Sequence, residues 1–264
     1  MSMEIVILGC GSSGGVPRVA QGWGQCDPTN PKNRRRRCAI LVEQPGESEP
    51  TRLLVDAGAD LREQLIGEHI HKIDALLLTH AHADHVHGLD DLRPLTMAMH
   101  RMIDCYLDEA TWNAIGLRFN YLFATPPGSN YPPLLIPRRV TPGVPFVHGG
   151  PGGEIETTPF QLNHGDIDAL GFRFGACAYT PDVKYVPEES APFLENLDLW
   201  IVDALRHRLH PSHLSVGETL ELIARFRPKR AVLTNLHSDL DYETFRNNLP
   251  DNVEPAFDGM RLKI

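Results

Sequence analysis

The segment LLLTHAHADHVHG, residues 76 to 88, places four ligand-type side chains within six positions, directly after an apolar run of strand type. In α/β sheets, ligand sites form where strands end. If the chain stays extended just past Thr79, His80 and His82 point to one side, because side chains two apart share a face. Asp84 and His85 then address a second position, and two divalent ions about 3.5–4 Å apart form the clamp that many hydrolases use. The alternative is a loop of solvated histidines. The density of ligand types at a strand end weighs against it, although His87 needs no role beyond solvation.

The rest of the chain frames that loop. Strand-type runs recur at 5–8, 39–42, 52–58, 73–79, 197–204 and 230–235, with helix-period segments at 59–70 and 215–226. Strands interleaved with helices predict an α/β layer architecture. Residues 124–153 are dense in proline and glycine, and read as an irregular surface excursion or as a join between two halves. No short-period repeat appears, so residues 1–264 are expected to form one domain.

The opening IVILGCGSSGGVPRVAQGWG carries glycines at 9, 11 and 14, the G-x-G-x-x-G spacing of a dinucleotide site. That spacing works only where a helix opens at the third glycine and offers its free N–H groups to a pyrophosphate. Gly15, Pro17, Gly22 and Gly24 follow, no apolar periodicity supports a helix, and NPKNRRRRC stands where an acidic ribose ligand belongs. No dinucleotide-binding residues are therefore assigned. The glycines are expected instead to let backbone pass close to the site.

Bulk properties narrow the function classes. A formal charge of −9 argues against broad nonspecific binding of nucleic acid, and no extended nucleic-acid surface is evident. Five scattered cysteines without a C-x-x-C pair suggest reduced intracellular thiols. The beginning reads as a first strand rather than a signal peptide, and no apolar run is long enough to span a membrane, so a cytoplasmic protein is expected.

The H-x-H-x-D-H pattern of residues 80–85 resembles the metallo-β-lactamase superfamily, with LGCGSSGGVP as the glycine turn after the first strand and LLVDAG, containing Asp56, as the strand before the motif. The resemblance implies an αββα sandwich whose halves meet at a dinuclear site. It places His164 of LNHGD with His80 and His82 on the first ion, and Asp182 of AYTPD as the bridging carboxylate. Asp84, His85 and His237 of TNLHSD fall on the second ion. Histidine and carboxylate ligands suit zinc and manganese about equally, so two divalent ions of either kind are expected.

LGCGSSGGVPR, RRRRCAILV, YTPD and VDALRHRLHPSHLSVGETLELI resemble more narrowly the PhnP-like phosphodiesterase branch, near ribonuclease Z. That resemblance puts His213 beside the metals as a general acid with Asp203 close by, and counts Asp84 among the catalytic residues. His213 precedes a helix and could equally cap it or fill space. The PhnP type also carries a structural zinc on cysteines and a later histidine. Here only Cys26 stands in that region and Leu240 follows His237, so this zinc is not expected.

The run Arg34 to Arg37 has two readings, a solvated charge cluster or a rim facing phosphate. Arg18 and Lys32 are weaker candidates for the second. His69, His71, His100, His148, His207 and His210 receive no role.

The implied activity is cleavage of a small cyclic or nucleotide-like phosphodiester by a metal-bridging hydroxide. The alternatives are an RNA-processing endonuclease of the ribonuclease Z type and a non-catalytic metal- or ligand-binding relative. Thioester hydrolysis stays open, and so does assembly as a homodimer.

Overall fold

The structure is a computed structural model and describes residues 2–264. The chain first lays down β1 (Glu4–Gly9), β2 (Ala39–Gln44), β3 (Thr51–Val55), β4 (Ala75–Leu77), β5 (Ile103–Leu107) and β6 (Leu135–Arg139). A second series follows: β7 (Phe146–Gly150), β8 (Gly153–His164), β9 (Ile167–Phe174), β10 (Cys177–Thr180), β11 (Leu199–Asp203), β12 (Arg230–Thr234) and β13 (Val253–Pro255). The chain then returns as β14 (Arg261–Lys263) to pair antiparallel with β1. Two seven-stranded sheets result, ordered β14-β1-β2-β3-β4-β5-β6 and β13-β12-β11-β10-β9-β8-β7.

Both sheets are mixed. In the first, β1, β2 and β3 run antiparallel to one another, and β3 through β6 run parallel. In the second, β7 through β10 are antiparallel, and β10 through β13 are parallel.

The side-chain pattern explains the layering. Successive strand residues face opposite ways, so a strand that is apolar at every position must be covered on both faces. Ile5, Ile7, Ile40, Val42, Leu53 and Val55 face inward and meet Leu170, Phe172, Tyr179, Ile201 and Val232 of the other sheet. Val6, Leu8, Leu41 and Leu54 face outward under the helix α1 (Leu61–Gly67) and the segments that follow it. On the far side, Trp200, Val202, Ala231 and Leu233 pack beneath a second helical layer with Val216 and Ile223. This is the expected αββα sandwich.

The remaining helices are α2 (Ala83–Val86), α3 (Arg93–Met99), α4 (Glu109–Ile115), α5 (Asn120–Phe123), α6 (Val216–Phe226) and α7 (Tyr242–Arg246). The start of α6 is fixed by a capping box. Ser215 accepts from the Glu218 backbone, and the Glu218 side chain accepts from the Ser215 backbone. No helix is long and apolar enough to cross a membrane among the described residues.

Residues 124–153 differ from the expectation of an irregular excursion, because they contain β6 and β7, the edge strands of the two sheets. Proline concealed them. Pro137 lies within β6, where an edge strand tolerates the missing backbone donor. The segment nonetheless carries the chain from one sheet to the other, as a join would.

Candidate metal centre

Strand ends from both sheets converge at one place. β10, β11 and β12 run parallel in close register, Thr180 opposite Val202 and Asp203 opposite Thr234, so Asp182, Asp203 and Asn235 emerge side by side. His164 ends β8. From the first sheet, β4 stops at Leu77, the chain bends at Thr79, and His82 is extended (φ −66°, ψ 151°) before α2 turns. That early turn is what swings His85 back beneath His80.

Three groups of donor atoms lie within 4.8 Å of one another: His80, His82 and His164; His80, His85 and Asp182; and His164, Asp182 and His213. Shared members make them one continuous centre. His164 Nε2 is 3.3 Å from His82 Nδ1, His80 Nε2 is 4.0 Å from Asp182 Oδ2, and His85 Nε2 is 2.7 Å from the same oxygen. Asp84 stands at the margin, with Oδ2 3.5 Å from His85 Nε2.

Surrounding contacts aim the rings. His85 Nδ1 is 2.7 Å from the buried Asp56 carboxylate, which also accepts from the Thr79 backbone and hydroxyl. His80 Nδ1 is 3.0 Å from Thr79 Oγ1, and His164 Nδ1 donates to Ser212 O at 2.7 Å. Engaging the outer nitrogen in this way fixes the tautomer and leaves Nε2 free to coordinate.

The centre fits divalent ions. His80 Nε2 and Asp182 Oδ2 are buried and lack a hydrogen-bond partner among the described residues. The close approach of His85 Nε2 to Asp182 Oδ2 is thus a charge contact without hydrogen-bond alignment. Orphaned buried donors and acceptors are costly. A cation among them would satisfy both, and a set of imidazole nitrogens and carboxylate oxygens suits zinc or manganese.

Electrostatics separate the residues. Burial lowers the basicity of His80 and His164, which keeps them neutral, the state that coordinates. Burial also opposes charge on His85, but the Asp182, Asp56 and Asp84 carboxylates outweigh it and raise its pKa well above the ordinary value. Asp182 shows the converse: burial resists ionisation, yet His85 holds its pKa well below the usual range.

His213 sits beside Asp182. Its Nδ1 is 2.8 Å from Asp203 Oδ2 and 3.3 Å from Asp182 Oδ1. Burial works against its charge, but the adjacent Asp203 carboxylate prevails and lifts its pKa to about 9. Asp203 is wholly buried, which pushes its own pKa upward.

His237, like Asp84, belongs to none of the three groups. Its Nδ1 is 3.2 Å from Asp239 Oδ2, in a cleft next to the centre. The residue this loop sends inward is Asn235. Its Nδ2 donates to Asp182 Oδ1 at 2.7 Å and Pro181 O at 3.0 Å, and lies 3.0 Å from His213 Nδ1. The reason is position: Asn235 is the first residue past β12, with a left-handed φ of 59° that asparagine tolerates. The strand-end argument that singles out His80 points to Asn235 equally, but TNLHSD draws attention to its histidine.

The arginine run is divided between interior and surface, which neither sequence reading anticipates. Arg35 is buried, with Nη1 donating to His237 O at 3.2 Å and Nη2 to Leu240 O at 2.7 Å. Its guanidinium also lies 3.8 Å from Cys26 Sγ, filling the space between that thiol and residues 237–240. Arg36 pairs with Asp258 and Arg37 with Asp60, leaving Arg34 exposed. These residues bind the opening loop to the body of the protein. Gly9 belongs to the same fit, because a Cβ there would stand 2.0 Å from Arg37 O. No helix opens at Gly14.

Comparison with known proteins agrees with this architecture. Residues 51–235 match the family model described as a beta-lactamase superfamily domain. An octanoyltransferase of Porphyromonas gingivalis is 32% identical over 267 residues, covering 99% of this chain and 52% of that protein. A ribonuclease Z of a Bradyrhizobium species is 30% identical over 148 residues, covering 54% of this chain and 46% of that protein. The chain thus spans about half the length of these curated relatives. A crystal structure described as a new diphosphatase from the PhnP family superposes with a TM-score of 0.87 at 30% identity, covering 100% of this chain and 98% of that one. The chain therefore belongs to the metallo-β-lactamase superfamily, on the PhnP-like branch related to ribonuclease Z.

Proposed function

We propose that this chain is a dinuclear metal-dependent phosphodiesterase acting on a small cyclic or nucleotide-like diester. The observation that carries the reading is His213. Its Nδ1 lies 3.3 Å from Asp182, one of the proposed ligands, and 2.8 Å from the buried Asp203 carboxylate at its back.

His80, His82 and His164 would hold one ion, Asp84 and His85 the other, and Asp182 would bridge them. Asn235, from the loop that also carries His237, would stand behind Asp182. When bound, such ions supply an activated water near neutral pH and neutralise charge developing on phosphoryl oxygens. Everything else falls to the chain. Asp56 and Thr79 keep His85 and His80 oriented, and Asn235 steadies the Asp182 carboxylate. His213 would give a proton to the departing oxygen, while Asp203 fixes its ring.

A screen of the metal-reconstituted protein against cyclic nucleotides, linear diesters, RNA and thioesters tests this reading. Turnover is expected on the small diesters. Turnover confined to thioesters or to structured RNA, or none with two ions bound, would overturn it.

A further inference from the structure

We propose that Arg35 is a positioning residue for the metal centre: its buried fork sets the turn that carries Asn235, and Asn235 holds the Asp182 carboxylate. This rests on the reading of that centre as a pair of ions and adds to it a residue from the opposite end of the chain.

Arg36 and Arg37 have carboxylate partners. Arg35 is only 1% exposed and has none among the described residues. Burying a cation without a counter-charge is costly, and apolar side chains would fill the same space with less desolvation. Its contacts are to oxygens of one loop. Nη1 donates to His237 O at 3.2 Å, and Nη2 donates to Leu240 O at 2.7 Å. Nη2 also lies 3.4 Å from Asn33 Oδ1, an oxygen that accepts from Tyr242 N at 2.8 Å. A planar guanidinium spaces such acceptors rigidly, which a lysine ammonium does not.

The turn has little else to define it. Asn235 has a left-handed φ of 59°, and among the described residues the one backbone hydrogen bond within 235–240 is Leu240 N to His237 O, at 3.2 Å. Beyond His237 N to Leu205 O, the bracing comes from the opening segment. Leu236 N donates to Cys10 O, and Gln25 N donates to Ser238 O, each at 2.8 Å. Arg35 is the side chain of that segment that reaches two of the loop's carbonyls from within.

The glycine loop admits Arg35 to this position. Val16 and Arg35 exchange backbone hydrogen bonds of 2.8 and 2.9 Å. A Cβ on Gly11 would stand 3.0 Å from Arg35 Cβ, and one on Gly15, whose φ is 62°, would stand 3.1 Å from Arg35 O. The opening glycines and the arginine run, which no ligand explains, thus meet in one arrangement. Its output is close to the metals. Asn235 lies two residues before His237, and its Nδ2 donates to Asp182 Oδ1 at 2.7 Å. Without the Arg35 fork the turn relaxes, and Asp182 loses the donor that orients it.

The test titrates the chelated full chain with zinc by calorimetry. Arg35→Lys, which keeps the charge and loses the fork, and Arg35→Met are each expected to weaken one ion about tenfold and leave the other within about twofold. Combining Arg35→Lys with Asn235→Ala should weaken that ion no further than Asn235→Ala alone, because residues acting through one contact are not additive. An Arg35 that only stabilises the fold would lower the unfolding midpoint and leave both affinities unchanged, or would multiply the loss in the double variant. Either result overturns the inference. The unmodified protein gives a second readout that no folding defect obscures. Coupling is reciprocal, so zinc should slow hydrogen exchange at the Leu236 and Leu240 amides about tenfold. Exchange there that ignores bound zinc also overturns the inference. If the unmodified protein binds no zinc, the reading of the metal centre fails, and the inference falls with it.

Discussion

The two sides of the metal centre are built differently. On one, His80, His82 and His164 form a group of imidazoles alone, and burial keeps His80 and His164 neutral. On the other, His85 is surrounded by Asp56, Asp84 and Asp182, with Asn235 and His213 adjoining. The first side offers neutral nitrogen lone pairs. The second gathers carboxylates around His85 and His213. Similar ligand types therefore serve different ends, according to the charges placed behind them.

Asp182 belongs to both sides, so replacing it should have the largest effect. Asp182→Ala is expected to lower metal content and reduce hydrolysis by at least about a thousandfold, read by elemental analysis and initial rates. Retention of two ions in that variant would break the proposed division. His213→Ala should follow, costing about 10²–10⁴-fold on a cyclic ribose phosphate, whose alkoxide needs a proton, while sparing an activated nitrophenyl diester. Equal losses on both, or loss of metal, would reduce His213 to a supporting residue.

Asn235 sharpens the second side. Asn235→Ala should weaken binding of one ion by about 10–100-fold with the other little changed, whereas His237→Ala should leave the metal content as it is. The opposite ranking in a metal titration would restore His237 as the ligand. Arg35 underlies that loop, and Arg35→Met strands the carbonyls of His237 and Leu240. A loss of about 2–4 kcal/mol is expected in denaturant unfolding, because buried acceptors left unpaired keep their desolvation cost.

The smallest effect concerns acid. Asp241 is slightly desolvated, which opposes ionisation, but hydrogen bonds from Thr244 N, Asp27 N and Asn33 lower its pKa to about 2. A lowered carboxylate pKa gives stability above the ordinary carboxylate value that is lost as pH falls through about 2. Asp241→Asn should therefore flatten the decline in stability at acid pH. An unchanged acid limb would show that Asp241 does not hold this loop.

The strands of the two-sided core were legible because continuous apolar runs such as IVIL and LDLWIVDA have few alternatives to a buried strand. β8 and β9 were hidden, since their polar positions and the turn after His164 dilute the pattern. The loop of residues 80–85 was legible because its ligands are consecutive. Asn235 was not, because its role depends on β12 ending beside β10, a fact of sheet order that no local spacing carries. The arginine run misled for a related reason: four adjacent charges suggest solvent, yet Arg35 finds its partners more than two hundred residues away.

The most direct test of the account is metal stoichiometry against activity. Protein freed of metal and titrated with zinc or manganese should bind two ions per chain, with diester hydrolysis appearing as the second ion enters. Saturation at one ion with full activity would contradict the two-sided centre and the role given to its carboxylates.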